Sequence, residues 1–553
     1  MSTIFFVLNC SLQILIVITA ITVATLNWIG KEAVVNHDKE VPFKLLEKVQ
    51  SASLGKESKN LIIHGDNLEA LKALMPFYQG KVKCIYIDPP YNTGNEGWVY
   101  NDKVNSPKIR EWLGKVVGIA GEDLTRHDKW LCMMYPRLKL LRDLLNERGV
   151  IFVSIDDNEQ SHLRLMLDEI FGEASFVGQI TVVGNPRGRD YGGIARMHDY
   201  VLVYSKVVGG AELNNLNDPD KVFPFEDKSG GFEIRELRNR NIAFHIGNRP
   251  NLYYPFYVNP KKLDANGFFE IDLENHRGWV EVNPKVSQGY KTVWRWGKPR
   301  SLKFLNSEIV GKKMMDGGYQ IVEKYREKSR MARSVWWDKD DNTEKGTLEV
   351  KNLFGTKVFN FPKPMDMVRK MVEMGTDEGD LVLDSFAGSG TTGHAVMDIN
   401  KEDGKNRNFI LIEMGDEIAK KITAERVKRA IKKYDHKDGF EFCELAKPLF
   451  DEKGQINEKC TYDELATYVY FTETQTNLEK KSVKQPFVGK SGGLSYYLIY
   501  AGKNKNDLTR TALSKLKIAG PAVVYADRCL VDEVELKEKG VTFKQIPYEI
   551  KVY

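Results

Sequence analysis

The sequence has few cysteines, and none of them has the spacing of a redox or metal site. Six cysteines are scattered over 553 residues without a C-x-x-C pair, at Cys10, Cys84, Cys132, Cys443, Cys460 and Cys529. Disulfide frameworks and zinc knuckles need closely spaced cysteines, so the pattern favours reduced thiols in a cytoplasmic protein. We therefore expect no metal site.

The sequence also lacks a strong excess of either charge. It has 81 basic and 76 acidic residues, a net charge of +5, and 42% hydrophobic residues. This is an ordinary globular composition, long enough for three or four domains of about 150 residues each. The balance neither requires nor excludes a nucleic-acid partner, because a local basic face decides that property. There are no internal repeats and no low-complexity segments.

Charge is missing altogether from Ile4–Leu26. As a helix this apolar leader would span roughly 34 Å, enough for a bilayer core, but it lacks the basic start of a secretory signal. It could be a membrane anchor, a buried hydrophobic hairpin, or translated upstream sequence with true initiation near Val23. The abrupt change in composition after it favours the last. We expect membrane association only if residues 4–26 are genuinely translated and inserted.

Strand and helix patterns alternate in two separate parts of the chain. The predicted strands of both parts are Asn60–His64, Cys84–Ile87, Val150–Asp156, "DLVLDSF" and "NFILIE". Amphipathic helices are predicted between them, including "YPRLKLLRDLLNERG" with Pro136 in its first turn and Gly149 just past its end. Residues from about 180 to 350 are basic, aromatic and rich in loops, without helical periodicity. The alternation predicts an α/β fold with a mainly parallel sheet and an insert.

The stretch "CIYIDPPYNTG" places an acid at the end of a buried strand. Pro89 and Pro90 cannot donate hydrogen bonds to a sheet, so the strand must stop at Asp88. Tyr91 follows this stiff elbow. In an open α/β sheet, ligands bind at the carboxyl ends of the strands.

A second motif, "LVLDSFAGSGTTG", has a strand, a glycine turn and a helix start. Glycines let backbone N–H groups approach a ligand, and Gly388, Gly390 and Gly393 fit G-x-G-x-x-G. Glu413 ends the next strand and matches the acid of a nicotinamide dinucleotide fingerprint. Asp384, however, ends the strand just before the glycines, where it suits a ligand ammonium better than a phosphate. The dinucleotide interpretation also leaves the Asp88 motif unexplained.

Together, "DSFAGSG" and "DPPY" resemble the S-adenosylmethionine-dependent DNA amino-methyltransferases of the adenine-N6 class. The order of the motifs, with an insert between them, is similar to the permuted β group of that family. The resemblance implies a Rossmann-like methyltransferase fold with circularly permuted motif order, an inserted target-recognition domain and an α+β C-terminal region. It also implies that the strands ending at Asp88 and Asp384 are neighbours.

The resemblance assigns roles to residues of both motifs. It makes Asp88, Pro89, Pro90 and Tyr91 the catalytic group. The Asp88 carboxylate and the Pro89 carbonyl would accept hydrogen bonds from the target amine, and Tyr91 would stack on the flipped base. S-adenosyl-L-methionine would be bound by Asp384, Phe386, Gly388, Gly390, Glu413 and Asp66. The segment "FNFPKP", Phe359–Pro364, would close over the methionine end.

Target recognition is expected in the insert. Its basic and aromatic residues suit phosphate contact and base stacking, although each of them singly is an ordinary surface residue. The candidates for DNA contact are Arg187, Arg189, Tyr191, Trp294, Arg295, Trp296, Lys298 and Arg300.

A narrower resemblance covers nearly the whole chain from about residue 27. The segments "WIGKEAVVNHDKEVPFKLLE", "RPNLYYPFYV" and "FKQIPYEI" resemble the modification (Mod) subunit of type III restriction–modification systems. That family implies a bacterial, cytoplasmic homodimer that methylates adenine in double-stranded DNA and associates with a helicase-nuclease restriction subunit.

The predicted domains are a leader (1–26), two halves of the methyltransferase domain (27–180 and 351–434), a target-recognition insert (181–350) and a C-terminal assembly region (435–553). Three alternatives stay open. A cytosine-N4 methyltransferase would share the fold, but its motif more often begins with serine. An NAD-dependent oxidoreductase would need only the glycine motif and Glu413. A membrane-anchored DNA-binding scaffold would not need the intact motifs.

Overall fold

The protein is represented by a computed structural model. It describes residues 26–55, 58–93, 122–188, 193–218, 220–436, 439–450, 456–457, 460–479, 483, 485–502 and 506–546. The apolar leader lies outside these residues except for Leu26. Among the described residues, no helix has both the length and the apolar character to cross a membrane.

The chain forms two compact units, one of residues 1–214 and 332–553 and the other of residues 215–331. In the described part of the larger unit, ten strands form one mixed sheet. Its spatial order is Lys44–Lys48, Glu441–Pro448, Leu61–His64, Asn408–Glu413, Leu381–Asp384, Val82–Ile87, Leu145–Ile155, Asp199–Ser205, Phe176–Val182 and Val335–Trp336. The six strands from Glu441–Pro448 to Leu145–Ile155 run parallel. This is the α/β fold that the alternating pattern predicts.

Helices cover both faces of this sheet because its central strands are apolar on both sides. Ile85 and Ile87 belong to a core shared with the helices Asn67–Tyr78, Glu122–Leu144 and Gln160–Phe171. Cys84 points the other way, toward Gly375 at the end of the helix Met365–Gly375. The remaining helices of this unit up to residue 434 are Lys31–Val34, His37–Glu40, Thr343–Phe354, Thr391–Asp403 and the continuous segment Asp416–Tyr434 with a π turn at Ala419–Ala424.

Both predicted boundaries of one helix are wrong. The helix begins at Glu122, so Pro136 lies in its interior, and the next strand already begins at Leu145. An interior proline has no N–H to donate to the carbonyl four residues before it, here that of Cys132. The Arg137 guanidinium donates to the adjacent Met133 carbonyl at 2.7 Å. Non-local packing therefore carries the helix through a residue that normally marks a helix start.

The C-terminal region forms a smaller mixed sheet with its own core. The strands Phe487–Ser491, Leu494–Leu498, Ala522–Ala526 and Val541–Gln545 pair in that order. Its helices are Tyr462–Thr474, Arg510–Lys515 and Glu533–Glu538. Phe43 and Leu45 from the amino-terminal strand pack into the same core as the first of these helices.

The smaller unit is an antiparallel β structure. In its described part, seven strands pair in the order Val280–Val282, Phe256–Leu263, Phe269–Asp272, Ile309–Lys313, Tyr319–Tyr325, Gly230–Glu236 and Phe225–Asp227. The helix Lys298–Lys303 accompanies them. The segment predicted as the insert, 181–350, contains this unit, while its flanks, including Asp199–Ser205 and Thr343–Phe354, belong to the larger unit. The role of 215–331 in target recognition stays a prediction.

Candidate active site

The two sequence motifs meet at one edge of the large sheet. The strands Val82–Ile87 and Leu381–Asp384 are direct neighbours and run parallel, with Cys84 opposite Val382 and Ile85 opposite Leu383. Asp88 and Asp384 therefore leave the sheet at the same, carboxyl-terminal edge, where α/β folds bind ligands. This neighbour relation is the one that the resemblance implies.

The elbow after Asp88 is held by a buried indole. Trp130 is fully buried, and its Nε1 donates a hydrogen bond to the carbonyl of Pro90 at 2.7 Å. Pro89 and Pro90 restrict φ, and the indole fixes the carbonyl that follows them. Tyr91, half-buried, comes directly after this fixed point. The elbow is therefore rigid at both its prolines and its far end.

Lys363 completes the site, although the sequence indicated no role for it beyond its place in "FNFPKP". Its Nζ lies 3.3 Å from the Asp88 carboxylate and 3.7 Å from that of Asp199. It also lies 4.6 Å from the centre of the Tyr91 ring and donates to the Tyr91 hydroxyl. A lone lysine in an apolar, proline-rich segment ahead of the glycine motif was the only available signal.

The protonation of this group follows from burial and charge. Burial raises the pKa of Asp88, while the Lys363 ammonium and the Tyr91 hydroxyl oppose that rise. Burial would lower the pKa of Lys363, but Asp88 and Asp199 outweigh it and hold that pKa above its usual value. Burial and the Asp88 carboxylate raise the pKa of Tyr91, which stays a neutral phenol. Lys363 is thus a cation beside the carboxylate that carries the predicted chemistry.

The glycine turn adopts a conformation that side chains rarely allow. Gly388 and Gly390 have φ of 48° and 78°. A Cβ on Gly390 would lie 3.0 Å from the Thr423 carbonyl oxygen, and one on Gly388 would lie 3.2 Å from the ring of Phe359. The "FNFPKP" segment therefore packs directly on the glycine turn, and its closing over the methionine end stays a prediction.

Two carboxylates brace this turn from beneath. Asp384 is buried and accepts hydrogen bonds from the Phe386 N–H at 2.9 Å and the Thr392 hydroxyl at 2.5 Å. Glu413 accepts from the N–H groups of Gly388 at 2.8 Å and Gly415 at 2.9 Å. Burial raises the pKa of Asp384 to about 7 and also raises that of Glu413. A cationic or hydroxyl-bearing ligand beside either acid would stabilise its charged form.

The other predicted cofactor residues lie around the same edge. Asp66 caps the helix Asn67–Tyr78 through the N–H groups of Leu68 and Glu69, and its second oxygen lies 3.2 Å from the Arg137 guanidinium. Its strand pairs with that of Glu413, with His64 opposite Glu413. Phe386 is 5% exposed and packs into the core.

These residues fit S-adenosylmethionine. Gly388 and Gly390 add no side chains to the turn, and Ser385 has a buried hydroxyl with no hydrogen-bond partner in the described part of the chain. An ammonium suits Asp384 and a ribose diol suits Glu413. The binding roles of the individual residues stay predictions.

The prediction of DNA contact is wrong for two residues. Trp294 and Trp296 are 2% and 6% exposed and belong to the core of the 215–331 unit. Trp294 donates to the Tyr254 carbonyl at 2.7 Å and packs edge-on against Phe256. Residues buried in this way cannot stack on a base.

The basic candidates differ among themselves. The Arg295 guanidinium forms an ion pair with the Glu323 carboxylate at 2.5 Å. Arg300 is exposed and lies over the Trp296 ring at 3.9 Å, and Lys298 and Arg187 are exposed. Arg189 and Tyr191 lie outside the described residues. DNA contact by Arg187, Lys298 and Arg300 stays a prediction.

The chain is similar to known proteins over most of its length. The model of a family described as DNA methylase matches residues 82–425. The chain is 34% identical over 450 residues to the type III restriction-modification enzyme EcoPI Mod subunit of Escherichia phage P1, covering 74% of this chain and 68% of that protein. It is 31% identical over 469 residues to the EcoP15I Mod subunit of Escherichia coli, with 76% and 71% covered. It is 32% identical over 382 residues to the type II methyltransferase M.KpnI of Klebsiella pneumoniae, with 68% and 86% covered.

Proposed function

The chain belongs to the DNA methylase family, and we propose that it methylates N6 of a flipped adenine in double-stranded DNA as the modification subunit of a type III restriction–modification system. The enzyme is an S-adenosylmethionine-dependent DNA methyltransferase. The observation that carries the proposal is the parallel pairing of the strands before Asp88 and Asp384. That pairing puts the base-side elbow and the glycine turn at one sheet edge.

The reaction needs no strong acid or base, and its rate depends mainly on the positions of the reacting groups. When bound, S-adenosylmethionine supplies a methyl group on a cationic sulfur. The N6 amine is a poor nucleophile because its lone pair is conjugated into the ring. Asp88 and the Pro89 carbonyl accept hydrogen bonds from its two N–H groups, which favours a tetrahedral nitrogen with the lone pair free to attack. The amine held in this way would take the methyl group that S-adenosylmethionine supplies, leaving a neutral thioether, and the extra proton on nitrogen would leave to solvent.

Tyr91 offsets the cost of extracting the base. Flipping costs a few kcal/mol of lost pairing and stacking, and an aromatic face recovers about 1–3 kcal/mol of it. Lys363 now lies over that face, so an entering base would displace its ammonium. The base and Lys363 then share the Asp88 carboxylate, which keeps Asp88 charged while the base is bound.

Partners follow from the kinship with Mod subunits. The proposed enzyme acts in the bacterial cytoplasm as a homodimer and associates with a helicase-nuclease subunit, with residues 435–553 as the assembly region. The 215–331 unit would read the target, with Lys298 and Arg300 on DNA phosphates.

The test is nucleoside mass spectrometry of unmethylated DNA after incubation with the protein and S-adenosylmethionine. N6-methyladenine should accumulate with the wild type and disappear with Asp88→Ala. The Asp88→Asn variant, which keeps the shape of the acceptor but not its charge, should retain a small residual rate. N4-methylcytosine would instead assign the cytosine-N4 class, and nicotinamide binding without methylation would assign the oxidoreductase class.

A further inference from the structure

A buried carboxylate outside the methyl-transfer group contacts the residue that directly follows the catalytic elbow. Glu159 precedes the helix Gln160–Phe171 and is 0% exposed. Its carboxylate accepts a hydrogen bond from the side-chain amide of Asn92. It also lies 2.5 Å from Nδ1 of His127 and 2.9 Å from Nδ1 of His162. A carboxylate removed from water needs such partners, and here one of them belongs to the chain just after Tyr91.

Asn92 holds an unusual backbone conformation. Its φ is 57°, in the left-handed region that few residues with a side chain adopt, and it is 0% exposed. Within the described residues its amide oxygen has no hydrogen-bond partner. The bond from its amide nitrogen to Glu159 is therefore what holds the side chain. Because Asn92 follows Tyr91 directly, its backbone conformation sets the direction of the chain immediately after Tyr91.

One helix presents both braces of the elbow. His127 and Trp130 lie three residues apart in the helix Glu122–Leu144, so their side chains share a face. Trp130 donates directly to the Pro90 carbonyl, and His127 contacts Glu159, which holds Asn92. The elbow is thus clamped on either side of Tyr91 by groups on one rigid element.

We propose that Glu159 is a positioning residue for methyl transfer, which acts through Asn92 to hold the Asp88–Tyr91 elbow in its reactive shape. The inference rests on the proposed function and extends it to a residue that touches neither base nor cofactor. Methyl transfer depends on the placement of the amine acceptors, so a loosened elbow should slow the chemical step more than it weakens binding.

The experiment uses the full chain, tritiated S-adenosylmethionine and unmethylated DNA. Single-turnover transfer rates and S-adenosylmethionine affinity are measured for Glu159→Ala, Glu159→Gln and Asn92→Gly. Glutamine keeps an oxygen for the Asn92 amide and should retain most of the rate. Alanine should lower the transfer rate at least tenfold with a nearly unchanged dissociation constant for the cofactor. Asn92→Gly tolerates the positive φ but lacks the amide, so it should match alanine and tests the same link if Glu159→Ala fails to fold.

The control is Asp168→Asn in the helix Gln160–Phe171, which follows Glu159. Asp168 pairs with Arg164 at 3.0 Å and accepts from the Tyr204 hydroxyl at 2.6 Å, and neither partner belongs to the elbow. It should lose stability without losing transfer rate. Equal loss in Asp168→Asn and Glu159→Ala would overturn the positioning role, as would an unchanged rate in Glu159→Ala.

Two further results of the experiment would have different meanings. His127, Glu159 and His162 also have the donor types of a zinc site, with ligand atoms all within 4.8 Å of one another. Stoichiometric zinc in the wild type that is absent from Glu159→Ala, measured by plasma mass spectrometry, would overturn the hydrogen-bonded assignment. A wild type that transfers no methyl group to any DNA would overturn the proposed function itself, which an active wild type with an equally active variant would not.

Discussion

Replacing Lys363 with methionine should shift the acid limb of the methyl-transfer rate to higher pH. The rate depends on the ionised carboxylate of Asp88, whose pKa burial already raises. The Lys363 ammonium, 3.3 Å from that carboxylate, opposes the rise. Methionine fills similar space without the charge, so it removes the opposing effect and little of the packing.

The size of the shift follows from the distance. Two unit charges 3.3 Å apart attract by about 5 kcal/mol at an effective dielectric constant of about 20. The water that both groups lose cancels much of this, and about 1.5–3 kcal/mol remains for a polar contact between charged groups. The two side chains are 13% and 26% exposed, so solvent screens them only partly. At 1.36 kcal/mol per pH unit, the pKa of Asp88 should rise by about 1 to 2 units.

The assay is the pH dependence of single-turnover methyl transfer. On the acid side, where the rate follows the ionised fraction of Asp88, the variant should be about 10- to 100-fold slower than the wild type at equal pH. Lys370→Met is the matched control, because it removes a lysine that is paired with other carboxylates. Lys370 lies in the helix Met365–Gly375 and pairs with Asp338 at 2.7 Å and Asp341 at 2.8 Å. An acid limb that moves by less than about half a unit would refute the electrostatic role assigned to Lys363.

Two further predictions concern the cofactor site and the smaller unit. Burial raises the pKa of Asp384 to about 7 from 3.8, so the native chain binds this proton more tightly than the unfolded chain. Its contribution to stability is complete below pH 3.8 and is lost as the pH rises through about 7. The affinity for S-adenosylmethionine should therefore increase as the pH rises through that value. Calorimetry should detect a proton released on binding, and Asp384→Asn should abolish this release. An affinity that does not change with pH would show that Asp384 does not contact the ligand ammonium. Trp294→Ala should destabilise the 215–331 unit by about 3–5 kcal/mol in denaturant unfolding, whereas Lys298→Ala should leave stability unchanged and lower the salt dependence of DNA binding by about one unit of slope. The reverse result would return Trp294 to the DNA surface.

The elements that the sequence predicted correctly are those that local chemistry decides. The two prolines end the strand before Asp88 wherever that strand lies. Gly388 and Gly390 stand where a turn with positive φ requires them. Apolar strands between amphipathic helices favour a parallel sheet because both of its faces must be covered.

The errors arise where burial depends on distant packing. Trp294 and Trp296 alternate with basic residues, a pattern that suits a DNA surface and a half-buried strand equally well, and only the surrounding sheet decides between them. Pro136 is a common first-turn residue, yet tertiary contacts keep the helix intact on both sides of it. The sequence contains no signal that distinguishes these outcomes.

Some of the residues of the site could therefore be predicted from the sequence. The acid, the elbow, the aromatic ring and the glycine turn are contiguous motifs, and their chemistry is visible in the order of the residues. Lys363 meets Tyr91 across 272 residues of chain, and Glu159 meets Asn92 across 67. Such pairs form only when the parallel sheet aligns its strand ends, because the charge and hydrogen bonding of a side chain act through space and not along the chain. The sequence alone determined what chemistry the motifs carry, and the tertiary structure decided which other residues hold those motifs in place and set their charge.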